Sequence, residues 1–331
     1  MSDAMGDSEP IAASPDLSEE KLAAAPFIGA RLGLAALRRV LDGHRAWVEQ
    51  RPEGLRATLT GIVLAEAALD NVNLERAELK AANFIDARMS GANLSGANLH
   101  LADLRNATLI DADLSRAELM EAKLAFALLA GANLSEAHIV RTSLRGANLR
   151  QAHLLETTME RCDFSKAVLR DAQMLQAKLF DCDFANADLS GANLYHSVFR
   201  CCKMQGISGA GSHWGTATVQ NCEFRRADLT GAQFDRADLR QSSFWRALLM
   251  GSSFQKCRLN GADMEAADLS GARFHEAATM SANFRGVNLR GAQGLTPTQL
   301  GQARTDRETT LPDGSRGPFM LGSGSHRPCR L

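Results

Sequence analysis

From Ala57 to about Ala292 a small residue recurs at every fifth position, and a large apolar residue stands two places after it. The pattern is plain at Ala92-Asn93-Leu94, Ala97-Asn98-Leu99 and Ala102-Asp103-Leu104, and the large column runs from Leu59 and Leu64 through Phe84, Phe164 and Phe244 to Leu289. A period of five is neither the 3.6 of an α-helix nor the 2.0 of a strand. It suits a chain that turns a corner every five residues and returns to its starting side after four corners, one circuit every twenty residues. About twelve such coils, stacked at the parallel-strand spacing of about 4.8 Å, predict a rod roughly 55–60 Å long. The interior of each coil has room for one Leu or Phe per side with only Ala, Ser or Cys beside it. That rule accounts for an aromatic content of 5% with one Tyr. The weak stretch is 205–218, where Gly209 holds a large position and a distorted coil or local bulge is expected.

A solenoid needs its ends covered, because open strand edges invite polymerisation. Leu32 to Gln50 reads as an amphipathic helix with Leu34, Leu37, Leu41 and Val48 on one face. A shorter helix is expected at Ser18 to Ala24, ending at Pro26. At the other end, Thr296-Pro297-Thr298-Gln299 is a capping box with Pro at the first helical position. The expected organisation is therefore a disordered segment over 1–16, a helical cap over 17–50, the β-solenoid over 51–294, a second cap with a short helix over 295–312, and a mobile tail over 313–331.

Charge and composition exclude several function classes. With 37 basic and 38 acidic residues the formal net charge is −1, so neither a broad basic footprint for nucleic acid nor a strongly acidic surface is expected. There is no apolar run of transmembrane length and no secretory signal pattern at the N-terminus. Seven cysteines without such a signal read as reduced thiols, and the expected compartment is the cytoplasm.

The residues that could carry chemistry have a plainer reading. Cys162, Cys182, Cys202 and Cys222 are spaced by one circuit and stack in a vertical column, a line rather than a converging ligand set, so they are read as packing. Cys201 and Cys257 lie off that column, with Cys201 facing outward. His100, His138, His153, His196, His213 and His275 fall on outward positions. No Ser-His-Asp order, Gly-rich phosphate loop or metalloprotease motif is present. The abundant Asp and Asn before each large residue are assigned to corners, where they bond backbone groups or face water. No catalytic residue, metal site, cofactor or small-molecule substrate is expected.

At its A(D/N)LXX motifs the chain resembles the pentapeptide-repeat family. The resemblance implies an all-β solenoid, a right-handed quadrilateral β-helix with the large and small residues both facing inward. It also implies a noncatalytic protein of bacterial type, to which the segment Leu37 to Glu49 before the repeats and Gly294 to Gly314 after them are similar. The family includes topoisomerase-protecting DNA mimics and secreted effectors. A gyrase-directed mimic, or a component or effector of a bacterial secretion system, is the alternative to a protein-binding scaffold.

Function must then lie on outward positions. The residue after each large one is usually Ser, Arg or Asp, and Leu155, Leu175 and Tyr195 break that habit at intervals of one circuit. With Met120, Val140, Phe180 and Val198 they are expected to form an apolar strip that binds another protein or a second copy of the chain. A second patch, Arg225, Arg226, Trp245 and Arg246, is a candidate contact for an anion or nucleic acid, against local Arg–Trp stacking.

Overall fold

The structure, a computed structural model, describes residues 29 and 31–320. The expected disordered segment over 1–16, the helix over 18–24 and the end of the tail from 321 lie outside the described residues. Helix α1 (Leu34–Val48) precedes the repeats, strands β1 (His138–Val140), β2 (Thr158–Glu160), β3 (Lys178–Phe180), β4 (Val198–Arg200) and β5 (Thr218–Gln220) lie within them, and α2 (Pro297–Gln302) follows.

Between the caps the chain is a parallel β-solenoid. Residues twenty apart pair in parallel from Thr58↔Glu78 to Arg273↔Gln293. We name its sides one to four after the pentapeptides that begin at Ala57, Ile62, Ala67 and Val72. Formal strands occur on side one alone, as a five-stranded sheet in the order β1 to β5. The five strands account for about four turns of the solenoid, and elsewhere each pass contributes single bridging residues, which carry the ladder from residue 58 to residue 293 in about the twelve coils expected.

The corners explain the period of five. The N–H of each small residue donates to the carbonyl of the large residue three places earlier, as in Ala77 to Leu74 at 3.0 Å and Ala97 to Leu94 at 3.0 Å. Two residues after each large one the backbone is left-handed, which is the signature of a type II turn. Glycine fills some of these places, but Glu66 (φ 62°), Leu101 (φ 62°) and Phe126 (φ 61°) fill others. A side chain there costs about 1–2 kcal/mol. The corner N–H offsets this by reaching the next coil, as Glu66 does to Ile85 at 2.8 Å. Asn and Asp on the bridging positions hold the corner from outside: the Asn93 side chain accepts the Ser95 N–H and the Asp163 carboxylate accepts the Ser165 N–H.

Side one departs from this scheme where it forms strands. The corners after β1 to β5 lack the closing backbone bond that Ala82, Ala102 and Ala122 make. The small residues there are Thr142, Cys162, Cys182, Cys202 and Cys222 instead of alanine. Each carries a side-chain donor: Cys162 Sγ bonds the carbonyls of Ile139 (3.2 Å) and Glu160 (3.4 Å), and Cys182 Sγ those of Met159 (3.7 Å) and Phe180 (3.4 Å). A thiol or hydroxyl thus replaces the turn N–H, and the residue before the corner stays extended.

The expected distortion at 205–218 is absent. Bridges Asp188↔Ser208 and Ser208↔Asp228 continue the ladder, and the Gly209 N–H reaches Asp228 at 2.6 Å. Leu229 Cδ2 and Ser212 Oγ stand 2.9 and 3.4 Å from where a Cβ on Gly209 would lie, and Trp214 adds its volume from the next side. It is fully buried and lies 5.1 Å from Phe199 and 5.7 Å from both Phe224 and Phe234, centroid to centroid. Its indole N–H donates to Ser212 Oγ (2.7 Å), which donates to the Gly209 carbonyl (2.6 Å). An oversized ring on side four therefore compensates for a missing side chain on side three.

The N-terminal cap is built differently from expectation. Leu34 is 66% exposed, whereas Leu37, His44 and Ala46 are the buried positions of α1. His44 is wholly enclosed beneath the first coil, and its Nδ1 accepts the Ala57 N–H at 3.0 Å. Its Nε2 faces Glu75 without a well-formed bond. The helical period placed Leu34 inward, but docking of α1 is set by this polar contact and not by the leucine face alone. At the C-terminus the capping box forms as expected, with Thr296 Oγ1 accepting the Gln299 N–H and Gln299 Oε1 accepting that of Thr296. Described residues of the tail expected to be mobile are held: Thr310 and Arg316 pair antiparallel, and the Phe319 N–H donates to Thr305 Oγ1 at 3.0 Å.

Two outcomes follow from this packing. Trp214→Ala should cost about 3–5 kcal/mol, and adding Gly209→Leu should recover part of it, whereas Gly209→Leu alone should destabilise; denaturation followed by near-UV circular dichroism checks all three. Burial first, then Arg56, lower the His44 pKa below its ordinary value, against the Glu75 carbonyl and carboxylate that raise it. The unfolded chain therefore binds this proton more readily. Cap stability should be full above the unfolded value and fall as pH drops through it toward the folded value. Trp47, stacked on His44 at 5.5 Å, reports the change, and His44→Gln should remove it.

Candidate functional site

The interior offers no chemistry to a ligand. The inward columns of Leu, Phe and Ala are closed to solvent. The cysteine column is buried with them, and its thiols are engaged with carbonyls. The neighbouring Cys182 thiol and burial push Cys162 well up; in Cys182 the bond with Cys162 favours the thiolate, but Cys202 and burial outweigh it and push the thiol up to about 12. Cys257 is likewise pushed up by burial. These are protonated packing residues, not nucleophiles. Cys201 is exposed at the corner after β4.

Three surface carboxylates are firmly committed to neighbours. Burial works to raise Asp103, Asp188 and Asp238, but hydrogen bonds and charge from Arg105, from Ser190 with Arg170, and from Arg240 outweigh it and hold all three below the usual carboxylate range. Among the described residues no group of three or more His, Cys, Asp or Glu is placed to hold a metal ion. A shallow groove of about 490 Å³ on side two is lined by Arg145, Arg161 and Lys166 opposite Asp163, Asp181 and Asp183. Its mixed charge favours no one ligand, and Arg145 bonds Ser165 (3.2 Å) across it.

The expected apolar strip is present in pieces. Leu155, Leu175 and Tyr195 stack at the corner from side four to side one, joined by bonds from the Glu156 N–H to Leu175 (3.0 Å) and from the Gln176 N–H to Tyr195 (3.1 Å). Leu155 is 40% and Tyr195 41% exposed, with Leu175 half-buried between them. The Tyr195 ring lies flat over Gly215, where a Cβ would come within 2.4 Å of it, and meets His196 edge-on at 4.4 Å. On side one the strip is interrupted. Register Val140↔Glu160↔Phe180 puts a carboxylate between the two apolar residues, and Lys178 lies below Val198. Val140 is buried, and Met120, Phe180 and Val198 are half-buried. The vertical column of three is thus continuous, while its flank on side one is a charged checkerboard.

The basic patch is self-contained. The guanidinium of Arg246 lies 4.4 Å and that of Arg226 5.5 Å from the Trp245 ring centre, so the aromatic is already occupied by cations of its own chain. Arg225 faces Glu223 at 4.0 Å. Other exposed apolar residues escaped the sequence reading: Phe126 at 58%, spread over Gly146, with Leu128 and Ile110 on side three, and Leu248 with Met250 farther along that side. Their signal was available, since each breaks the polar habit of an outward position.

Comparison with known proteins follows the same residues. The family description "Pentapeptide repeats (8 copies)" matches residues 57–96, 82–119, 97–135, 117–154 and 142–179. A second, "Pentapeptide repeat region", matches 177–251 and 217–293. No curated protein matches the sequence. Among solved structures, the chain is similar to HetL, a pentapeptide repeat protein involved in heterocyst differentiation regulation from the cyanobacterium Nostoc sp. strain PCC 7120. The identity is 24% over 86% of this chain and 99% of HetL, with a TM-score of 0.29. It is also similar to QnrB1, a plasmid-mediated fluoroquinolone resistance protein, in a trypsin-treated form: 18% identity over 72% of this chain and 89% of QnrB1, with a TM-score of 0.25. The matched repeats run without a gap from residue 57 to residue 293, through every pass of the solenoid just described, and the chain belongs to the pentapeptide-repeat family.

Proposed function

We propose that this chain is a noncatalytic scaffold that binds another protein along the Leu155, Leu175 and Tyr195 column, with Met120, Val140, Phe180 and Val198 flanking it. The carrying observation is that three vertically adjacent apolar side chains stand outward at a position held by Ser95, Ser115 and Ser135 in earlier passes. Solvent contact with Leu155 and Tyr195 persists after they have stacked on their neighbours. Contiguous apolar surface of this kind marks contact sites more often than isolated residues do. The enclosed core, the protonated thiols and the Arg-paired carboxylates support a noncatalytic role. No helix among the described residues is long and apolar enough to cross a membrane, and the bacterial cytoplasm is the setting we propose.

The duplex-mimic alternative needs a strongly acidic rod, which a formal net charge of −1 does not supply.

Replacing Leu155, Leu175 and Tyr195 together with Arg should leave the far-UV spectrum unchanged and reduce partner recovery in affinity capture at least about tenfold, given that central apolar anchors carry most of an interface's energy. Equal recovery by both forms would sink the reading. The wild-type protein should leave DNA gyrase supercoiling unaffected at stoichiometric concentration, and inhibition there would favour the mimic instead.

A further inference from the structure

Side four differs from the other three in charge. Its bridging column from Asn133 to Gln233 reads Asn133, His153, Gln173, Asn193, His213, Gln233, without a lysine, arginine, aspartate or glutamate. Its second outward column over the same passes carries the Leu155, Leu175 and Tyr195 anchors. In those passes side one presents Glu160, Lys178 and Arg200, side two Asp163, Asp183 and Lys203, and side three Arg150, Arg170 and Asp188. Covering any of those sides requires removing several charges from water, which is costly unless each finds a partner. Covering the centre of side four removes amides, imidazoles and apolar groups, with Glu136 and Glu156 on its rim and Asp235 in its last pass.

We propose that side four is a self-association surface, and that its occupant is a second copy of this chain in antiparallel register, centred on Gln173 and Leu175. This rests on reading the Leu155–Tyr195 column as a contact site and names its partner. Amide side chains carry both a donor and an acceptor, so a column of them can face its own copy. The column already bonds like to like vertically, with Asn193 Nδ2 donating to Gln173 Oε1 at 3.1 Å. A twofold axis across the rod makes each column meet itself, as an isologous dimer requires. Leu175 then meets Leu175 of the second copy, and Leu155 meets Tyr195. The same axis sets Glu156, on the rim of side four, against His196 of the second copy, an acid against a base. His153 faces Asn193, and Asn133 faces His213. One operator thereby pairs the apolar anchors, the amides and the flanking Glu156 and His196 together.

Sedimentation equilibrium of the full chain between about 1 and 200 µM tests this, since a narrow interface predicts micromolar affinity. The expected result is a monomer–dimer equilibrium that Leu175→Arg weakens at least tenfold by placing Arg against Arg on the axis. His196→Glu should weaken it similarly by opposing Glu156, and adding Glu156→Lys should restore it. A monomer throughout the range overturns the proposal. So does a dimer indifferent to Leu175→Arg and His196→Glu, which would use another surface. A monomer whose Arg-substituted column still loses its captured partner would overturn the second copy as occupant while leaving the scaffold reading standing.

Discussion

Everything in this solenoid depends on the left-handed residue at each corner. It reverses the chain within two residues, brings the next small residue back against the wall, and points its own N–H at the coil above, as Asn71 does to Ser90 at 2.8 Å. The conformation is unfavourable for most side chains, yet Arg76, Asp86 and Leu101 adopt it. What holds it is the stacked ladder, in which every pass templates the next. Stability is therefore shared between neighbours rather than resident in any one coil. The end caps matter for the same reason, because the first pass has no full coil on its outer side, where Arg31 pairs with Val63 and the Gly29 N–H bonds the Gly61 carbonyl at 2.8 Å. At that end a single imidazole, His44, takes over part of the missing ladder by accepting the Ala57 N–H.

The open corners of side one show how little is needed to change the local solution. Alanine at the small position closes the turn by a backbone bond; threonine or cysteine there leaves it open and supplies a side-chain donor. The five consecutive open corners coincide with the strands β1 to β5. A column that looks like a metal or redox ladder in sequence is a set of additional donors to backbone carbonyls, of which those of Glu160 and Phe180 also accept the ladder N–H groups of Arg141 and Arg161. The neighbouring Cys182 thiol, ahead of burial, keeps Cys162 protonated.

The repeating part of the fold was legible because its determinant is steric and local: one large and one small inward residue per side, at fixed spacing. What was not legible depends on contacts between different sides or different elements. Gly209 looked like a defect because its column was read alone, and the compensating Trp214 stands on the adjacent side. Leu34 looked buried because helical periodicity says which residues share a face, not how that face docks; the polar His44 decided that. The outward columns were aligned correctly by spacing, so Leu155, Leu175 and Tyr195 meet as expected. The side-one flank failed because Glu160 and Lys178, in the same rows, were left out of the expected strip.

Vertical stacking imposes a condition on every outward column: each side chain must tolerate its neighbour one pass away. Charged columns meet it by alternation, as where Arg116 binds Glu136 at 3.0 Å and Arg141 binds Glu121 at 3.1 Å. Amide columns meet it by donating to an acceptor one pass away, a carboxylate where Asn133 donates to Asp113 at 3.2 Å and an amide where Asn193 donates to Gln173 at 3.1 Å. In both cases the polar groups are satisfied within the column or by water, and nothing further is required of the surface. An apolar column is different. Stacking covers the faces that Leu155, Leu175 and Tyr195 turn to each other, but solvent still reaches about two fifths of the first and the last. No rearrangement within the column can remove that exposure, because the corner fixes where each side chain leaves the backbone. The remaining apolar area can leave water only through a surface that is not part of the same solenoid, and the uncharged side beside it is where such a surface can approach with least desolvation of charge.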